Sequence, residues 1–89
     1  MSNRIPTNVR RGAAFLDERL PGWRKRIRLD ELDLSSGCNC VLGQTLGGYD
    51  EGKELLGLSE REVERYGFWR HGRQSFESLT EGWRKVLAR

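Results

Sequence analysis

Glycine limits how long any element of this chain can run. Its eleven glycines fall mostly where an apolar periodicity stops: Gly22 behind Pro21, Gly37 behind two serines, the pair Gly47-Gly48, then Gly57 and Gly67. Glycine ends helices because it enters the left-handed region without a Cβ clash, so this placement predicts many short helices in place of a few long ones. Eighty-nine residues, 36% hydrophobic and 33% charged, have room for one small core and no second one. Such a core yields only a few kcal/mol of stability, of order 5 at most.

The apolar spacing locates the helices. Val9, Ala13, Leu16 and Leu20 recur at intervals of four, three and four, one stripe of a helix that Thr7 can cap and that runs to about Leu20. Pro21 blocks continuation and suits the first position of a short second helix carrying Trp23 and Ile27. Leu29 to Leu34 reads as a connector or a single turn whose leucines plug into the core. Ser35 or Ser36 can cap a helix from Cys38 to Leu46, which Gly47-Gly48 ends. Asp50 can cap a turn carrying Leu55 and Leu56. Ser59-Glu-Arg-Glu62 has the form of a capping box, opening a helix with Val63 and Tyr66. Residues 68–73 read as a loop, and a last helix with Leu79, Trp83, Val86 and Leu87 starts near Ser78 or Thr80.

The expected fold is therefore mostly α: a compact single domain over residues 7–89, of four to six short helices joined by Gly/Pro-rich turns, behind a flexible N-terminus of residues 1–6. Its expected core is Trp23, Trp83, Phe15, Leu16, Leu20, Leu42, Leu46, Leu56 and Tyr66.

Charge is sorted along the chain. Residues 1–28 hold eight Lys/Arg against two acids, residues 29–64 nine acids against Lys53 and Arg61, and residues 65–89 six bases against Glu77 and Glu81. Basic ends flanking an acidic middle suggest a binding face. Trp23 interleaves with Arg24, Lys25, Arg26 and Arg28; Trp69 with Arg70 and Arg73; Trp83 with Arg84 and Lys85. Arginine forks engage phosphate and carboxylate, and aromatics stack on bases or anchor proteins, so Arg24, Lys25, Arg26, Arg28, Trp69, Arg70, Arg73, Arg84 and Lys85 are the candidate partner- or nucleic-acid-binding residues. The plainer alternative makes Trp23 and Trp83 core anchors with solvated neighbours.

Chemistry-bearing motifs are few. Cys38 and Cys40 are separated by one residue where a zinc pair usually has two, and the only histidine is His71. Those three are the candidate metal ligands, and the spacing speaks against them; the expected role of at least one cysteine is a small buried hydrophobe at a helix start. A Cys38–His71 nucleophile lacks a third member and an oxyanion hole. Asp30, Glu31 and Asp33 read as a solvated helix start. Gly43 to Gly48 has no lysine and no preceding strand, so it is no phosphate loop, and Gly43 marks close packing of a neighbour. A helix-turn-helix fails because the helices around residues 50–66 are too acidic for a groove. No apolar run approaches the length of a membrane span and no secretory segment opens the chain. With two cysteines and no disulfide framework, a cytoplasmic setting is expected.

Leu16-Asp-Glu-Arg-Leu-Pro-Gly-Trp23, Leu32-Asp-Leu34, Cys40-Val-Leu-Gly-Gln44, Gly48-Tyr49, Leu56-Gly57, Tyr66-Gly-Phe68 and Leu79-Thr-Glu-Gly-Trp-Arg84 form an ordered set from about residue 13 onward. It resembles a type of small protein found in actinobacteria and their phages. The resemblance rests on core and turn residues; it implies a bacterial or phage cytoplasm and a small accessory protein, and it carries no reaction and no site.

These readings converge on a non-enzymatic interaction protein without cofactor, phage-related by resemblance, that binds a macromolecule through a charged surface. A protein partner ranks above nucleic acid, no membrane is involved, and self-association is compatible with the charge pattern. The alternative is nucleic-acid binding by the arginine-rich segments.

Overall fold

The structure, a computed structural model, describes residues 5–88. Among them the chain forms five α-helices: α1 (Thr7–Arg19), α2 (Val41–Leu46), α3 (Tyr49–Leu55), α4 (Glu60–Arg65) and α5 (Phe76–Leu87). Two 3-10 turns, Trp23–Arg26 and Leu29–Glu31, join α1 to α2, and the described residues contain no strand. The mostly α, single-domain expectation is met. None of these helices is long and apolar enough to cross a membrane.

The stripe on α1 is buried through Val9, Ala13 and Leu16, with Leu20 half-covered. Thr7, however, does not cap the helix; it is its first residue, and Pro6 precedes it at φ −56° with no side-chain bond. The proline ring presets the entry angle that a hydroxyl cap would otherwise secure. Ile5 is only 4% exposed and Pro6 packs on α5 at Gly82. Ile5 and Pro6 of the expected flexible segment 1–6 are thus packed on the helices; residues 1–4 lie outside the described residues.

Starts of helices were the least legible feature. α2 begins at Val41, three residues later than expected, because Ser36 already closes a turn: its Oγ accepts from the backbone N–H groups of Cys38 and Asn39 at 3.3 and 3.2 Å. Cys40 then caps α2, its Sγ accepting from the Gly43 amide at 3.3 Å. The last helix begins at Phe76, earlier than expected, since Ser75 caps it by accepting from the Ser78 amide at 3.0 Å. Asp50 is no cap either; it lies in the first turn of α3, behind Gly48. The capping box forms as read, with Glu62 N–H to Ser59 Oγ at 3.2 Å and Ser59 N–H to Glu62 Oε1 at 2.9 Å. Gly47 ends α2 in the left-handed region at φ 97°, where any Cβ is strained.

Three aromatics make the centre. The Trp83 ring stacks on Phe68 at 5.7 Å and meets Trp23 edge-on at 5.8 Å. All three are essentially sealed from solvent, joined by Leu16, Leu42 and Leu79. Both indole N–H groups find acceptors, Trp23 on Asp17 at 2.8 Å and Trp83 on the Gly67 carbonyl at 2.7 Å, as buried indoles require. Residues 68–73 form a loop as expected, and Phe68 in it is 1% exposed, held by its amide on the Val63 carbonyl. Leu32 and Leu34 plug in as expected but Leu29 does not, being 38% exposed, and Phe15, Leu20, Leu46, Leu56 and Tyr66 cover the core only partly. Leu55 faces water, 71% exposed.

Close approach decides which helices can touch. Gly12 on α1 lies against the Tyr66 carbonyl and the Trp83 ring, and Gly82 on α5 against Pro6 and Val9. Gly43 meets the backbone of Gly37 and Cys38, the close packing its position suggested.

Candidate functional site

The nine candidate residues do not form one face. Arg24 is held in place: Nε and Nη2 each lie 3.2 Å from the Asp17 carboxylate, and Nη1 donates to the Val86 carbonyl at 3.4 Å. With Arg24 first and the Trp23 indole second, these bonds hold the Asp17 carboxyl below its ordinary range. Arg26 donates to the Thr45 carbonyl at 3.3 Å, in the last turn of α2, where the helix dipole favours a cation. The Arg28 guanidinium is 3.9 Å from Glu31. Arg84 donates to the Leu32 carbonyl at 3.3 Å and sits in a groove with Asp30, Glu31, Asp33, Glu77 and Glu81. Arg24, Arg84 and Lys85 line three different grooves, while Lys25 and Arg73 are exposed. Trp23 and Trp83 take the plainer role of core anchors.

Trp69 behaves differently from the other two tryptophans. It is 40% exposed, and its indole N–H donates to no acceptor among the described residues. Its position is nonetheless fixed: the ring meets Phe76 edge-on at 4.9 Å and Tyr49 at 5.4 Å. The Arg70 guanidinium lies over Phe76 at 5.5 Å, capping the cluster with a cation. Burial, helped by Glu60, pushes the Tyr49 hydroxyl up to about 12, so it is no base near neutrality. Tyr49 and Phe76 were missed by sequence reasoning, since they belong to two helices that meet the Trp69 loop only in the folded chain.

The candidate metal ligands are not brought together. Cys40 is buried and Cys38 exposed. His71 is turned to Glu64, Nδ1 to Oε1 at 3.0 Å. Among the described residues no three His, Cys, Asp or Glu side chains are grouped to hold one ion. Burial pushes the Cys40 thiol up from its usual value, which keeps it protonated and unreactive. A thiol-disulfide reagent at pH 8 is therefore expected to modify one thiol per chain rapidly, and the second only in denaturant. Two equally fast thiols in the native protein would mean that Cys40 is not enclosed.

A second concavity, of about 870 Å³, opens between α1 and α4, with Arg11, Arg61, Arg65 and Tyr66 on its walls and His71 at its rim. None of its three arginines was singled out by the charge reading. Arg61 and Arg65 are four apart on α4 and so share a side, a signal that helical spacing contains. That Arg11 of α1 faces them is a tertiary fact. Set against known proteins, the chain matches no family model, no curated protein and no solved structure.

Proposed function

We propose that this chain is a non-enzymatic binding protein that engages a protein partner through the Tyr49–Trp69–Phe76 face and its flanking Arg70 and Arg73. The exposed indole of Trp69 carries this reading. A large ring held by two aromatic neighbours has already lost its rotamer freedom, so covering it costs little entropy, and a partner carbonyl or carboxylate can accept its open N–H. Tryptophan, tyrosine and arginine are also the residues that dominate binding hot spots. Their chemistry fits a partner surface with an apolar notch and a carboxylate on its rim, steered by the two arginines.

The non-enzymatic part is supported by how the nucleophile candidates are engaged. The Cys40 sulfur takes a helix amide, the Cys38 thiol has no hydrogen-bonded base among the described residues, and His71 is on Glu64. The resemblance to small proteins of actinobacteria and their phages directs the search for the partner to an actinobacterial lysate.

The test is a matched pull-down with wild type and Trp69→Ala at equal loading. A protein retained by wild type and at least tenfold depleted with Trp69→Ala is the expected result, tenfold being about 1.4 kcal/mol, the loss typical of an anchor residue. The same retained set with both baits would sink this reading.

A further inference from the structure

We infer that the cleft between α1 and α4 is a nucleotide site, in which guanidinium groups hold phosphate and Tyr66 carries the base; it is built from residues other than the Trp69 face and stands independently of it. Three guanidinium groups converge on this cleft, Arg11 from α1 and Arg61 with Arg65 from α4. None of the three has a carboxylate within 4 Å among the described residues, in contrast to Arg24 and Arg28. The two acids on the walls are both engaged already: Glu62 accepts from the Ser59 amide in the capping box, and Glu64 faces His71. The three guanidinium forks are thus open to phosphate, since Glu62 and Glu64 of the cleft and Glu18 of the adjoining groove are bonded to none of them.

Aromatic surface adjoins the charge. Tyr66 stacks on Phe15 with ring centres 4.5 Å apart and planes 17° from parallel, and the Arg19 guanidinium lies over Phe15 at 5.1 Å. Arg11, Arg65 and Tyr66 line both the main cleft and the neighbouring groove that contains Phe15, so cations and rings form one continuous surface. Phe15 is covered by Tyr66 and Arg19, so Tyr66, which lines both the cleft and the groove, is the ring beside the cations; phosphate alone needs no such ring. A base beside its phosphate does, because stacking on a ring contributes roughly 1–3 kcal/mol per base.

The walls are held by polar bonds outside the cleft chemistry. Asn8 and Gln74 exchange side-chain hydrogen bonds at 3.0 and 3.1 Å, and the Gln74 carbonyl oxygen also accepts the His71 amide at 2.9 Å. This pins the start of α1 to the loop that carries the rim. A cleft so fixed is pre-organised for its ligand.

The nucleotide can come free or as part of an unpaired strand, and the experiment separates these. Wild type is titrated at low salt with a labelled eight-nucleotide single-stranded DNA, with adenosine monophosphate, with inorganic phosphate and with a phosphotyrosine peptide. Binding of the strand or of the mononucleotide, with inorganic phosphate bound at least about tenfold more weakly, is expected. The strand alone assigns polymer; the mononucleotide at comparable affinity assigns a free nucleotide. Arg11→Ala with Arg65→Ala should weaken binding about tenfold or more, and Arg61→Glu should do the same by charge reversal. Arg10→Ala with Lys53→Ala removes the same charge away from the cleft and should change affinity less than about twofold. Equal losses in both double variants, no nucleotide binding, inorganic phosphate bound as tightly as nucleotide, or a tighter phosphopeptide would each overturn the assignment.

Discussion

Trp83→Ala is expected to abolish cooperative unfolding at 25 °C. The indole is fully buried, stacked on Phe68, edge-on to Trp23, and hydrogen-bonded to the Gly67 carbonyl. Truncating a core tryptophan to alanine costs about 3–5 kcal/mol through lost transfer energy and a residual cavity. A buried carbonyl that loses its donor adds roughly 1 kcal/mol or more. Against a total of a few kcal/mol for so small a core, that loss removes the native state. Urea titration followed by far-ultraviolet circular dichroism checks it, with Trp83→Phe alongside. The phenylalanine variant keeps a ring in the site and should fold, with its transition midpoint lowered. A sharp transition in Trp83→Ala, at the wild-type slope, would mean that the core closes without the indole.

Gly12→Ala has the second largest expected effect, and the sign is the informative part. In an exposed helix interior alanine is better than glycine by about 1 kcal/mol. At residue 12 the added Cβ would fall on the Tyr66 carbonyl oxygen and 2.9 Å from the Trp83 ring. The carbonyl is backbone at the end of α4, so it cannot swing aside as a side-chain tip would. Overpacking of this kind costs about 1–3 kcal/mol, occasionally more, and outweighs the propensity gain. A net loss of about 2 kcal/mol is expected from equilibrium denaturation. Ala14→Gly, on the exposed side of the same helix, should lose only about 1 kcal/mol, as propensity alone dictates. If Gly12→Ala proves more stable than wild type, α1 and α4 do not approach as closely as described.

Periodicity and glycine placement made the helical architecture legible, because both act within a few residues. The stripe Val9–Ala13–Leu16 and the Ser59–Glu62 box are local statements, and both hold. Helix starts failed where two nearby groups compete for one role. Ser36 closes a turn before α2, which hands the cap to Cys40, although a thiol is an unusual cap. Ser78 and Thr80 were the expected starts of α5, but Ser75 upstream takes the cap by accepting from the Ser78 amide. The candidate sites were legible in ingredients alone. Charge counting found arginines around Trp23 and Trp83, yet Arg24 and Arg26 bind main-chain carbonyls and Arg84 sits among acids, outcomes that depend on which backbone lies nearby. Trp69 was named without its partners Tyr49 and Phe76, which lie on other elements. Arg11 and Arg65 meet across two helices that do not follow one another in the chain.

The contacts of α1 with Trp83 and Gly82 also set an order of events during synthesis. Helix α1 leaves the ribosome carrying Val9, Ala13 and Leu16, but the α5 surface that meets it at Val9 and Gly12 is made only after α2, α3 and α4. Closing that long loop has an entropic cost that grows only slowly with length, so the delay is one of translation time more than of thermodynamics. Until α5 emerges, α1 has the end of α4 and Gly67 to pack against, and the Trp83 and Gly82 side of its stripe stays open. The fold therefore closes as one late event, and the interval before it is when the chain is open to chaperone capture or aggregation.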